Sequence, residues 1–158
     1  KLALYAEAKA GGKGSIDIDD VDAIVGDAAE LAIDRIVNAA ASGDAATAIN
    51  ELSRAAASGE SPQMVILALL RHLQRLHRIR AEMDRGGSLD DALRNLRPPL
   101  HFKQRDAVTA QSRKWSVAML DRALAAGSDA LKAARLTSAL EDSIAERLLL
   151  SVASQARR

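Results

Sequence analysis

Glycine-containing breaks divide this chain into short stretches rich in alanine and leucine, and this spacing constrains the fold more than any other feature. Of the 158 residues, 33 are Ala, whereas only 2% are aromatic. Strand-forming residues never alternate with polar residues for more than a few positions, so the pattern between the breaks indicates helices. We therefore predict an all-α fold with a modest core filled by Leu and Ala.

The breaks also predict where the helices begin and end. Ser42-Gly43, Ser58-Gly59 and Gly86-Gly87 are typical of helix ends, and Pro62 occupies a favourable first helical position. A helix over 1–10 and a short helix ending near Gly26 precede the regular part. The later predicted helices cover 29–41, 44–57, 61–85, 89–96, 100 or 101 to 111, 116–136, and 137 or 138 to 156. Short loops between them favour antiparallel neighbours.

Composition excludes several classes of protein. The chain has no Cys, so disulfides, thiolate zinc sites and a cysteine nucleophile are all excluded. The longest uncharged stretch, Ser61 to Leu70, is ten residues long, whereas a membrane span needs roughly 20 apolar residues. No signal peptide opens the sequence. We expect a cytoplasmic protein with no membrane contact. Because the chain starts at Lys1 within a helical pattern, we also expect it to be a piece of a longer protein.

The chain offers little from which an active site could be built. Gly11 to Ser15 has the composition of a phosphate-binding loop but not its spacing. His72 and His77 are five residues apart, about 140° around a helix, so they cannot share a metal ion. The acidic run from Asp17 to Asp22 lacks the glycine and distal glutamate of a calcium loop, so capping and solvation are its expected roles. We predict no catalytic residues, no cofactor and no metal.

Two surface features remain. Arg71, Arg75 and Arg78 fall together on the side of the 61–85 helix opposite its apolar stripe of Ile66, Leu69, Leu70, Leu73 and Leu76. Such a face is either simply solvated or in contact with phosphate or an acidic partner, and Lys103 is a further candidate for that contact. The segment Pro98 to Arg105 contains the only Phe, Phe102, which we expect to be a packing anchor.

Two further residues are expected in the core. His77 is expected at the edge of the core, and Trp115 at a packed junction between helices.

Charge is distributed unevenly along the chain. Residues 1–60 carry 5 basic and 11 acidic side chains, whereas residues 61–114 carry 11 basic and 5 acidic ones. Residues 115–158 are nearly balanced, with 6 basic and 5 acidic side chains, and the whole chain has a net charge of +1. This asymmetry favours a defined orientation against a charged partner.

The ordered series of junctions resembles a known family, the delta subunit of the bacterial DNA polymerase III clamp loader, over its C-terminal half. The similarity covers essentially the whole chain, and the series of spacings carries it rather than any single motif. The segments that carry it are Ile18 to Glu30 with Val25-Gly26-Asp27, then Ser42-Gly43-Asp44, Gly59-Glu60-Ser61-Pro62, Leu67 to Leu76, Pro98 to Lys103, Asp129 to Lys132 and Glu146 to Leu150.

The resemblance implies a non-catalytic fragment of a larger subunit. Residues 1–27 would be the end of a small helical lid domain, and residues 28–158 a helical collar-type bundle that joins delta to the gamma/tau and delta-prime type subunits. The sliding clamp would be bound only by an N-terminal domain that this sequence lacks, and DNA only indirectly, through the assembly. The expected role is therefore assembly of the machine that loads the clamp onto DNA during replication.

The later helices supply the expected subunit interface. We predict that Trp115, Leu120, Leu124 and Leu131 contribute to it, although core and interface leucines look alike in a single sequence. The alternative to an assembly domain is a free-standing helical DNA-binding module. That module would use Arg71, Arg75, Arg78 and Lys103 on phosphates and would bind DNA with a steep dependence on salt.

Overall fold

The computed structural model describes residues 18–158, apart from the side chains of Asp19, Asp20 and Asp22. This part of the chain is an all-α bundle of seven α-helices and contains no strand, as predicted. Two short 3₁₀ turns, Phe102–Gln104 and Ser138–Leu140, join the later helices. The helices are α1 (Ile18–Ser42), α2 (Ala45–Ala57), α3 (Pro62–Asp84), α4 (Leu89–Arg94), α5 (Arg105–Lys114), α6 (Val117–Leu136) and α7 (Glu141–Ala156). No helix described here is long and apolar enough to cross a membrane.

The glycines at the predicted breaks do end helices, with one exception. Gly43, Gly59 and Gly86 have φ angles of 89°, 86° and 95°, which residues with a side chain rarely adopt. The prediction that a helix ends near Gly26 is wrong, because α1 continues through it to Ser42. A single glycine weakens a helix by only about 1 kcal/mol, and the alanine-rich sequence after it favours helix.

Several later boundaries also differ from the prediction. The helix predicted from 137 or 138 starts at Glu141, after the turn Ser138–Leu140, and α4 ends at Arg94 rather than at 96. At α5, which ends at Lys114 rather than at 111, the predicted start at 100 or 101 is replaced by the turn Phe102–Gln104. His101 causes this, because its Nδ1 accepts a hydrogen bond from the Lys103 backbone N–H over 3.2 Å. The predictions for the helix over 1–10, for Gly11 to Ser15 and for the side chains of the acidic run fall outside the described residues.

The chain forms two compact units that divide between Ala32 and Ile33, within α1. In the described part of the first unit, α1 exposes four large apolar side chains: Ile18, Val21, Val25 and Leu31. The second unit, residues 33–158, contains the main hydrophobic core. The predicted domain boundary at 27–28 remains a prediction.

Helix α3 is central to the second unit. All five residues of its predicted apolar stripe are buried, together with Val65 and Ile79. Its most extensive packing is against α6, and α4, α5 and α7 also contact it. At Gly127 of α6 an added Cβ would lie 2.6 Å from Leu70 Cδ2, so the glycine permits the close approach of α3 and α6.

Trp115 joins three helices of this unit. It lies between α5 and α6, is completely buried, and donates a hydrogen bond from its indole Nε1 to the Ala41 carbonyl of α1 over 2.8 Å. The buried indole therefore has the polar partner that it needs. This confirms the prediction of a packed junction.

Candidate anion-binding groove

The predicted basic face of α3 is present in the structure. Arg71 and Arg78 are exposed, and Arg75 between them is half-buried. Because an α-helix rises 1.5 Å per residue, the three guanidinium groups originate over roughly 10 Å of the helix axis. They form a row of positive charge on the surface of the second unit.

The chain returns past this row after α4 and adds a fourth arginine. A cavity of about 190 Å³ is lined by Arg97 together with Arg71, Arg75 and Arg78 of α3. A second cavity of about 440 Å³ extends towards the end of α3. Because both cavities are lined by Arg78, Leu96 and Arg97, they form one groove between α3 and the segment after α4. We call the four arginines and this cleft the arginine groove.

The position of Arg97 is fixed by the backbone around it. Its Nη1 donates to the carbonyls of Arg94 and Leu96, over 3.1 Å and 2.8 Å. Sequence reasoning did not find this residue, because nothing local connects position 97 with α3. Only the two proline positions that follow it signal that the chain changes direction there.

The arginine groove brings four arginines without acidic partners into one cleft. Within residues 18–158, none of its four guanidinium groups forms an ion pair with a carboxylate. Six arginines that do not line this cleft also lack such a partner in this part of the chain, namely Arg113, Arg122, Arg135, Arg147, Arg157 and Arg158. Six further arginines are paired, and several of them lie close by in sequence. These pairs are Arg35 and Arg54 with Glu51, Arg80 with Asp84, Arg85 with Glu82, Arg94 with Asp91, and Arg105 with Asp90.

Gln104 separates the groove from a nearby carboxylate. Its side-chain oxygen accepts a hydrogen bond from Arg75 Nη1 over 3.4 Å, and its Nε2 donates to Asp34 over 3.2 Å. The amide therefore lies between the cation and the acid. The same contacts place the Phe102–Gln104 turn beside α3, so that the two basic regions found in the sequence are neighbours.

The expectation that Phe102 is a packing anchor is wrong. Its ring is 75% exposed and lies 4.6 Å from the His101 ring, centroid to centroid, with the planes tilted by 31°. The turn directs Phe102 and Lys103 to the surface because Gln104 is the residue of this turn that contacts α3. The result is an exposed aromatic pair next to a basic surface.

The predicted interface residues separate into two groups. Trp115 and Leu120 are completely buried by the chain's own helices, which assigns them to the internal core and leaves them no surface for another subunit. Leu124 and Leu131 of α6 are half-buried against that core, so part of each side chain remains accessible. Their role in an interface remains a prediction.

A second polar cluster lies buried beside the arginine row. His72 Nε2 lies 2.6 Å from Gln111 Oε1, and Gln111 Nε2 donates to Ser42 Oγ and Asn38 Oδ1 over 3.0 Å and 3.3 Å. We call these four residues the His72–Gln111 junction. The pKa of His72 is lowered to about 4, mainly because the ring is buried; the hydrogen bond to Gln111 Oε1 raises this pKa in part, and the nearby positive charge of Arg75 contributes to lowering it. His72 is therefore neutral at pH 7.

The other histidine of α3 occupies the core edge, as predicted. His77 is half-buried, and its Nε2 lies 3.0 Å from Asp121 Oδ1 of α6. No three His, Asp or Glu side chains lie close enough together to hold a metal ion within the described part of the chain.

Comparison with known proteins adds no identification. The chain matches no protein-family model, no curated protein and no solved structure.

Proposed function

We propose that this chain is an assembly element of a bacterial clamp loader, the lid end and collar of a delta-type subunit. Its role would be to join the gamma/tau and delta-prime type subunits during DNA replication. Contact with the sliding clamp would belong to an N-terminal domain outside this sequence. The proposal is supported by the ordered sequence resemblance, by the all-α bundle, and by one surface observation.

That observation is a group of exposed apolar side chains at one end of the second unit. Leu136 at the end of α6 is 87% exposed, and Leu140 in the turn before α7 is 53% exposed. A hydrogen bond of 3.0 Å from Gln63 Nε2 to Glu141 Oε2 brings the first turn of α3 beside the first turn of α7. Met64, also 49% exposed, belongs to that turn of α3. We call Leu136, Leu140 and Met64 the apolar end.

The apolar end is the part of this unit best suited to association. Clustered exposed apolar side chains mark interaction sites more often than isolated ones. Burying them against a partner would stabilise a complex by about 25 cal/mol for each Å² removed from water. Leu131 lies five residues before Leu136, about 140° around α6, so its predicted role in an interface would be a separate contact. In an assembly role, a partner subunit would pack against the side chains of the apolar end and bury them.

The test is to mix the purified chain with the other clamp-loader subunits and measure mass by light scattering after size exclusion. We expect a complex much heavier than the 16.8 kDa chain alone. A double variant, L136K/L140K, should prevent that complex and keep its helical circular dichroism spectrum. Leu150→Lys on α7, also an exposed leucine, is the matched control and should still assemble. A chain that remains alone at 16.8 kDa with every subunit present would contradict the proposal.

A further inference from the structure

We propose that the arginine groove, together with the exposed Phe102 beside it, is a binding site for single-stranded nucleic acid. The site lies entirely within the second unit and is independent of the apolar end. It would give the chain a direct contact with a nucleic-acid strand, and it can be tested independently of the assembly role.

The charge of the groove favours an anionic ligand. Four guanidinium groups line one cleft without a carboxylate partner in the described chain, while neighbouring arginines on α3 and α4 are paired. Like charges held this close repel one another, and the repulsion is relieved when an anion binds between them. Planar guanidinium groups hydrogen-bond phosphate oxygens in pairs, which makes phosphate a well-matched ligand.

The spacing of the arginines favours a ligand with several phosphates. The three α3 arginines are spread over roughly 10 Å, and a nucleic-acid strand carries one phosphate per about 3.4 Å of axis in a duplex and fewer per length when extended. The row therefore spans two or three consecutive phosphates. A single compact phosphate would use only part of it, so the length of the groove favours a polyanion.

The aromatic pair, His101 and Phe102, favours a ligand with exposed bases. Proteins that bind single strands combine a basic groove along the backbone with exposed aromatic rings on which bases stack. Here the Arg75–Gln104 hydrogen bond joins the groove to the turn that carries Phe102. A duplex keeps its bases stacked internally and could use the arginines alone, so the aromatic pair favours a single strand.

An acidic peptide is the competing ligand for the arginine groove. Besides the arginines, the lining of the groove includes Leu96, Pro98, two alanines and Glu82, whose carboxylate is paired with Arg85. Guanidinium groups bind carboxylates as well as phosphates, so the exposed ring of Phe102 is the feature that favours a ligand with bases. The acidic peptide is therefore the competing outcome in the test.

The test measures fluorescence anisotropy of labelled oligothymidine of about 20 nucleotides, longer than the site of a typical single-strand-binding domain. The full chain is titrated at several salt concentrations. The triple variant R71Q/R75Q/R78Q should weaken binding at least tenfold, and the slope of log affinity against log salt should become less negative by about 2. The matched control K132Q/R135Q/R147Q removes the same charge from exposed positions on α6 and α7 and should change affinity less than twofold.

A second variant tests the stacking contact. Phe102→Ala should weaken binding of oligothymidine about fivefold or more. It should leave binding of an abasic strand of equal length unchanged, because that strand has phosphates but no bases. Circular dichroism melting of every variant confirms that the fold is retained.

Four results would each overturn the proposal. They are no binding of oligothymidine at low salt, equal losses in the triple variant and its control, equal or tighter binding of a duplex, and equal or tighter binding of a polyglutamate peptide. Each can occur while the chain still joins the other subunits, so this failure is distinguishable from failure of the assembly role.

Discussion

Helix α3 contributes to two polar regions of opposite character, although Arg71 and His72 are adjacent in sequence. The His72–Gln111 junction is buried, and its members satisfy one another's hydrogen bonds. The arginine groove is accessible, and its cations have no acidic partner in the described chain. Buried polar groups with partners stabilise a fold, whereas surface charges left together contribute little to folding and are available for binding.

This comparison predicts that substitutions in or near the His72–Gln111 junction will lower the stability of the fold, whereas substitutions in the arginine groove will affect only binding.

The largest effect on stability should come from Trp115→Ala, in the core between α5 and α6. It removes the largest buried side chain and its bond to Ala41, which should lower the free energy of unfolding by about 3–5 kcal/mol. Urea denaturation measures this. Phe102→Ala is the exposed aromatic control, expected within about 0.5 kcal/mol of wild type; equal losses would contradict the assignment of Trp115 to the core.

The pH dependence of stability should reveal the buried His72. Its pKa is about 4 in the folded chain against 6.5 when unfolded, so the unfolded state binds more protons between these values. The free energy of unfolding should be highest above pH 6.5 and should fall by on the order of 3 kcal/mol as the pH drops to 4.

His72→Gln keeps an N–H donor for Gln111 but cannot titrate, so stability measured by urea at each pH should vary less in this variant. Hydrogen bonds from Thr47 and Ser88 lower the pKa values of Asp44 and Asp91 below 3.8. Protonation of these two carboxyls therefore affects stability only at a lower pH than protonation of His72. An unchanged pH profile in His72→Gln would show that another group dominates.

Gln111→Met should have an intermediate effect. The substitution preserves size but leaves His72 and Ser42 without their partner, and an unsatisfied buried polar group costs about 1–3 kcal/mol. Differential scanning calorimetry should show a lower Tm. Gln74→Met, the same substitution at an exposed position of α3, should leave the Tm nearly unchanged, and a similar decrease in both would argue against the junction.

The smallest effect on stability should come from the groove itself. The variant R71Q/R75Q/R78Q breaks no ion pair and reduces repulsion, so its free energy of unfolding should remain within about 0.5 kcal/mol of wild type or rise slightly. Urea denaturation at low and high salt measures it. A large loss would mean that these arginines hold the fold together, and the contrast between the two regions would then disappear.

Much of the fold could be predicted because helix signals are local. The glycines at 43, 59 and 86 and Pro62 mark boundaries through their own backbone preferences, and the apolar stripe of α3 follows from a period of 3.6 residues. The prediction at Gly26 is wrong because a glycine inside a helix and one at its end look alike in sequence. Its φ angle depends on whether the chain turns there.

The sequence by itself determined the helical class of this protein, the buried face of α3 and the arginine row, because helical periodicity places these side chains without reference to the rest of the chain. Only the tertiary structure decided that Arg97 completes the groove, that Phe102 is exposed, and that Trp115 and Leu120 lie inside the core. Each of these depends on which segments meet after the chain has turned back on itself. These contacts depend on packing between residues far apart in sequence, which no local sequence pattern specifies.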